Sequence, residues 1–234
     1  MLSICIPAYN CSVDALLRAL QSQLISASGD VEIVVCDDCS PSPILINPSE
    51  FPEVRVIRNS INRGRAGTRN LLVHAAKGQA ILFLDGDSEV ISTNFVLNWT
   101  EVAENSSIAV CYGGSVYQVD PPPSSHFLRW KVSTVRESKT IEERNRNGGG
   151  FKTNNVLIRK SVFEKVTFNE LLSGYGHEDT LFGFVHYVIH RSTWAEQDYC
   201  YLEDLYVSPK SRGQQIGKHL IEYVKQQAQK SRCA

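Results

Sequence analysis

Several features that would assign a chain quickly are missing from this one. No charge of one sign is in excess: 24 Lys and Arg stand against 25 Asp and Glu, a net charge of −1, which excludes a general electrostatic attraction for nucleic acid. No apolar run approaches the ~20 residues needed to span a bilayer, so a transmembrane chain is not expected, although peripheral association with a membrane stays compatible. Residues Met1 to Ile6 run straight into a strand pattern without a basic leader or a small-residue cleavage site, so no signal peptide is expected. The seven cysteines, at 5, 11, 36, 39, 111, 200 and 233, lack the paired spacing of a zinc module or a disulfide framework, and a reducing cytoplasm fits them best. Cys36-Asp37-Asp38-Cys39 matches C-x-x-C in form, but its two acids disfavour the thiolate that redox chemistry needs.

What remains is an ordinary apolar content, 42% of 234 residues, enough for one large α/β domain or a medium domain with a fragment of a second. The most informative stretch is Ile81-Leu82-Phe83-Leu84-Asp85-Gly86-Asp87. Its apolar run suits a strand covered on both faces, and the acids emerge at the carboxyl end, where open α/β sheets bind ligands. Two such close carboxylates repel unless a cation joins them, which points to a divalent metal with oxygen ligands. An Asp-Gly turn is the plain alternative.

Taken in order, Leu2 to Ile6 reads as a strand, and Val13, Leu16, Leu17, Leu20 and Leu24 fall on one helical face. Val31 to Cys36 is a strand ending in Asp37-Asp38, and Val54 to Ile57 is a third. A helix is expected from Asn62 to about Ala76, then strand Ala80 to Leu84. This order predicts a mostly parallel sheet with helices on its faces, whose strand ends carry Tyr9 and Asn10, Asp37 and Asp38, and Asp85 and Asp87 into one crevice. Arg65 and Arg69 stand near a helix start, where an anion is favoured; a solvated basic face is the alternative, with Arg69 the more structural of the two.

The segments LSICIPAYN, EIVVCDD, NRGRAGTRN and ILFLDGDSEV, followed by GGGFKTNNVLIRKSVFEKVTFNELLSGYGHEDTLFG, resemble family-2 glycosyltransferases of the GT-A fold, close to bacterial members that build surface polysaccharide. The resemblance covers residues 1 to about 183. It implies that Pro7, Ala8 and Tyr9 border the base and ribose of a nucleotide-diphosphate sugar and that Asp38 contacts the base. Asp87, and less directly Asp85, would hold Mn²⁺ or Mg²⁺ against the diphosphate. Of Glu178 and Asp179, which follow a glycine-rich turn, the resemblance makes Asp179 the base of an inverting transfer to a saccharide or lipid-linked saccharide acceptor.

Between these halves, an amphipathic segment is expected at Phe95 to Val102 and a strand pair at Ala109 to Tyr112 and Ser115 to Val119. After Pro121-Pro122-Pro123, residues 124–147 read as a charged, partly mobile acceptor loop in which His126, Trp130 and Arg136 are candidates for sugar contact. Trp130 suits packing better than binding. Phe151 to Ile158 reads as a returning strand.

The sequence changes character at about Gly183, which divides it into a truncated glycosyltransferase-like domain, 1–183, and a tail, 184–234. In the tail, Phe184 to His190 and Tyr199 to Val207 read as an antiparallel pair and Gln215 to Lys230 as a helix. YLEDLYVSPKSRGQQIGKHLIEYV resembles a fragment of the GNAT acetyltransferases. That implies an acetyl-CoA pyrophosphate loop including Arg212, Gly213 and Gly217, although Gln215 stands where that family usually has glycine. His186, His190 and His219 have no acidic or Cys partners at metal spacing and read as packing or surface residues. The whole reads as a chimera of two incomplete enzymes. Sugar transfer is the leading function; acetyl-CoA-dependent N-acetyl transfer and a non-catalytic chimera that only binds nucleotide are the alternatives.

Overall fold

Strand β1 (Leu2–Ala8) has only one residue that is not buried, Pro7, so it must be covered on both faces, and the chain supplies helices to both. Leu2, Ile4, Ile6 and Ala8 meet Leu16, Leu17 and Leu20 of α1 (Asp14–Leu24) and Val96 and Trp99 of α3 (Phe95–Glu104) in one apolar cluster. The alternate residue Cys5 turns to the other face, where its thiol lies 4.0 Å from the Leu72 carbonyl of α2 (Gly64–Ala75). Each large apolar side chain taken fully out of water contributes about 1.5–3 kcal/mol before entropy is counted.

The computed structural model describes residues 1–25, 29–136, 138, 140–146, 152–168, 170, 184–190 and 199–206, with residues 218, 221, 222, 224, 225, 228 and 229. The chain forms two units, Met1–Gly174 and Tyr175–Ala234; the change of sequence character had suggested a division at 183.

In the first unit, β2 (Val31–Asp37), β3 (Val54–Arg58), β4 (Ala80–Phe83), β5 (Val110–Tyr112) and β6 (Val156–Arg159) join β1 in the order β3-β2-β1-β4-β6-β5. The first four are mutually parallel, and β6 runs antiparallel to both β4 and β5. Phe83 anchors the α2 face, with Phe163 and Phe168 edge-on at centroid distances of 6.2 and 5.8 Å; Phe163 closes the short helix α6 (Lys160–Phe163).

Two expectations are corrected here. Ser115 to Val119 is not a strand: β5 pairs instead with the distant β6, Val110 opposite Ile158 and Tyr112 opposite Val156. Nor is 124–147 an irregular loop, because Ser124–Arg136 forms helix α4 and Ile141–Arg146 helix α5. The mixed charges that suggested a loop tolerate helical backbone well, since Arg, Lys and Glu rank among the good helix formers.

In the second unit β7 (Phe184–His190) and β8 (Tyr199–Tyr206) pair antiparallel as expected, with a register shift between His186 and Tyr187. The described positions from 218 to 229 are helical, and Val224 is buried.

Candidate functional site

The strand order reverses between β1 and β4, and in a parallel sheet the two connections leaving such a point diverge and open a crevice at the strands' carboxyl ends. Three strand ends are fastened together there by backbone hydrogen bonds. The Asp38 amide donates to the Ala8 carbonyl at 2.9 Å and the Gly86 amide to the Pro7 carbonyl at 3.3 Å, while the Asn10 amide donates to Ser40 Oγ at 2.9 Å. Tyr9 is exposed at this rim and Ala8 is buried beneath it. A side chain at Gly86 would meet Cys11 Sγ, Ala8 Cβ and Val13 Cγ1 at 3.1–3.2 Å, so glycine between the acids lets the loop settle onto the end of β1.

The acids divide into three that hold the crevice and one that faces it. Asp37 is buried, and although burial works against its ionisation, Ser40, the Ile44 amide and the Arg58 guanidinium 3.3 Å away hold its carboxyl below the usual range. The folded value lies below the unfolded one, so the stability it contributes is full at neutral pH and is lost as the pH falls through the folded value, below about 4. Asp37→Asn is therefore expected to flatten the acid side of a stability-versus-pH curve recorded by urea unfolding.

Asp38 is also buried. Its oxygens accept from Asn59 Nδ2 at 2.7 Å and from the Arg63 and Gly64 amides at 2.8 Å each. It thus binds the start of α2 from another strand, in place of an N-cap, since Arg63 itself makes no capping bond. Three of a carboxylate's roughly four acceptor positions are spent on the protein, which narrows the role expected for Asp38 at a nucleotide base.

Arg69, 1% exposed, donates to Asp85 Oδ1 at 2.6 Å. The more structural reading of Arg69 is the one this geometry favours, and Arg65 stays exposed in the first turn of α2. Asp87 is exposed and has no hydrogen bond or ion pair among the described residues. Among those residues no three His, Cys, Asp or Glu side chains form a metal cage. Hard divalent ions do not need one, since Mg²⁺ is commonly held by one or two carboxylates plus substrate phosphates. An open carboxylate beside an anchored one, at the rim of the crevice, fits such an ion.

Burial, Asp38 and Asp37 push the Cys36 thiol up to about 12, which disfavours the Cys36 thiolate that C-x-x-C redox chemistry would need. Trp130, a candidate for sugar contact, donates its indole N–H to the Gln118 carbonyl at 2.8 Å and packs on Phe127. Glu178, Asp179, Arg212, Gly213 and Gly217, with the side chains of His126 and Arg136, lie outside the described residues.

Three asparagines escaped the sequence reading. Asn154 Oδ1 accepts from the Asp85 amide and from Ser88 Oγ, both at 3.1 Å. It reaches the acids because β6 runs antiparallel to β4 and so begins where β4 ends. Asn59 bridges Asp38 to Thr68 Oγ1. Asn70 exchanges hydrogen bonds with the Phe168 backbone and donates to Glu170, fastening the chain to α2 ahead of Glu178. The doublet Asn154-Asn155 before the returning strand was the one local signal. A recess of ≈ 370 Å³ lined by His74, Gln79, Lys160 and Phe163 lies at the opposite, entry end of β4 and is separate from this crevice.

The model for glycosyl transferase family 2 matches residues 3–167, and that for the acetyltransferase (GNAT) family matches residues 158–234. An uncharacterized glycosyltransferase of Haemophilus influenzae is 42% identical over 89 residues, 37% of this chain and 29% of that protein. The UDP-Glc:alpha-D-GlcNAc-diphosphoundecaprenol beta-1,3-glucosyltransferase WfaP of Escherichia coli is 31% identical over 155 residues, 62% of this chain and 61% of that protein. The chain thus spans less than two thirds of either relative. Among solved structures, S. aureus TarS 1-349 aligns with a TM-score of 0.57 at 21% identity, over 77% of this chain and 53% of that one, and has also been crystallised with UDP. That likeness establishes a GT-A-type fold.

Proposed function

The chain belongs to glycosyl transferase family 2, whose model covers residues 3–167, and from that premise we propose that it transfers a sugar from a nucleotide-diphosphate sugar to a hydroxyl of a saccharide or lipid-linked saccharide, with inversion at the anomeric carbon. The observation that carries the reading is the crevice itself. Backbone bonds lock the ends of β1, β2 and β4 together, the start of α2 is bound to Asp38, and one open carboxylate, Asp87, stands beside the anchored Asp85.

Asp87, with Asp85, would hold Mn²⁺ or Mg²⁺, which when bound neutralises charge developing on the departing diphosphate. Pro7, Ala8 and Tyr9 border the nucleoside, and the positive charge of the exposed Arg65 favours the anionic end of the donor. Asp179 takes the proton of the acceptor hydroxyl as its oxygen bonds to the anomeric carbon and the bond to the diphosphate oxygen breaks. Such a base contributes on the order of 10²- to 10⁴-fold. Asp179→Asn should therefore keep donor binding and lose transfer by a factor in that range; normal turnover by this variant would remove the assignment. WfaP is named for a lipid-linked diphosphate acceptor and a UDP-glucose donor, which supports the same classes here and a part in polysaccharide synthesis. A thermal-shift screen of nucleoside diphosphates with and without Mn²⁺ tests the donor class, and a flat response throughout would overturn it.

The GNAT match over 158–234, together with the β7–β8 pair, favours a second reading in which the tail contacts acetyl-CoA. Saturable binding of CoA in calorimetry is its test, and no heat of binding disposes of it. The remaining alternative, a chimera that binds donor without transferring, would show the metal-dependent thermal shift but neither transfer nor donor hydrolysis.

A further inference from the structure

Helix α4 is turned the wrong way round for a helix of a soluble domain. Its sequence, SSHFLRWKVSTVR, contains three basic residues, Arg129, Lys131 and Arg136, and no acid. At about 100° per residue, Leu128, Val132 and Val135 fall within about 60° of one another, the stripe a globular helix normally turns inward. Here that stripe is exposed, at 75%, 44% and 76%, while among the described side chains of α4 the buried one is Ser133 at 4%, with the half-buried Trp130 bound to the Gln118 carbonyl. On the wheel Lys131 borders the apolar stripe on one side and Arg136 on the other. Lys131 Nζ also stands 5.9 Å from the ring of Phe127, which is itself 41% exposed. The chain as a whole carries −1, so this basic rim is a local feature rather than part of a general field.

An exposed apolar stripe with a cationic rim is the composition of a helix that lies in a bilayer interface, with apolar side chains among the acyl chains and ammonium and guanidinium groups at phosphate level. We propose that α4 docks the protein onto an anionic phospholipid surface, Leu128, Val132 and Val135 inserting and the exposed Lys131 meeting the headgroups. A partner protein would accept the apolar stripe equally well, but an acid-free helix fits a surface that is negative everywhere. The inference stands on the helix and is independent of the sugar-transfer reading.

Co-sedimentation of the full chain with phosphatidylcholine vesicles, with and without phosphatidylglycerol, tests it. Binding is expected to the phosphatidylglycerol vesicles and to weaken as salt is raised. Leu128→Glu/Val135→Glu should weaken it at least about tenfold, since each change removes an inserting side chain and adds a repelled charge. A second variant, Leu128→Trp, should keep binding and show a blue-shifted tryptophan emission on vesicles, which guards against reading misfolding as loss of docking. Absence of vesicle binding by the unaltered chain, or equal binding by the double-glutamate variant, overturns the proposal. So does self-association in sedimentation velocity that the same variant abolishes while vesicles bind nothing, an outcome that would assign the stripe to a second copy.

Discussion

Asp87→Asn is expected to abolish the Mn²⁺-dependent stabilisation by nucleoside diphosphate while leaving the ligand-free protein almost unchanged. The side chain is exposed and unbonded among the described residues, so its exchange for an amide strands no buried partner and costs within about 0.5 kcal/mol. A ligand at about 100 times its dissociation constant stabilises by about 2.7 kcal/mol, or roughly 5–10 °C in melting temperature for a chain of this size. That shift should disappear in the variant, and transfer should fall on the order of 10²- to 10³-fold, as when a preorganised charge-stabilising group is lost. Glu89→Gln, an exposed acid of the same loop, should do neither. A metal-dependent shift that survives Asp87→Asn would take Asp87 out of the site.

The neighbouring acid should behave in the opposite way, because Asp85 is tied to a guanidinium that water does not reach. Arg69 is 1% exposed and 2.6 Å from Asp85 Oδ1, whereas Asp85 is 30% exposed. Asp85→Ala removes the carboxylate and leaves the buried cation, and it is expected to cost about 3 kcal/mol, or roughly 6–12 °C in ligand-free melting temperature. Arg69→Met should cost less, about 1–2 kcal/mol, since the carboxylate left behind can regain water. The double variant should recover part of the loss, giving a coupling energy readable from a double-mutant cycle. If Arg69→Met proves the more damaging single change, the pair is not what fixes this corner of the crevice. Together the two variants test a division between an acid anchored to the fold and one open to solvent, a distinction their shared spacing conceals.

The two family matches meet over residues 158–167, the first structural unit closes at Gly174, and the change of sequence character falls at Gly183. These landmarks bracket the segment between β6 and β7 that carries Glu178 and Asp179. The Asp179→Asn comparison of binding with transfer therefore tests the proposed base separately from the crevice, whose residues, from Pro7 to Asn154, all precede that segment.

What the sequence determined by itself is local in origin. Continuous apolar runs and helical stripes such as Leu16, Leu17 and Leu20 located β1, α1, β2, β4 and the β7–β8 pair. Strand ends placed Tyr9, Asp38 and Asp87 at one edge, because a parallel sheet brings like ends together. The tertiary structure alone decided the rest, where distant segments meet. Asn154 serves Asp85 because β6 returns antiparallel, Asp38 binds α2 because β2 lies beside β1, and Arg69 is buried because its helix packs on the sheet rather than facing solvent. The same holds for α4. Its residues carry the spacing of an amphipathic helix, but which face of a helix is covered depends on what packs against it, and here the chain covers Ser133 and leaves Leu128, Val132 and Val135 exposed.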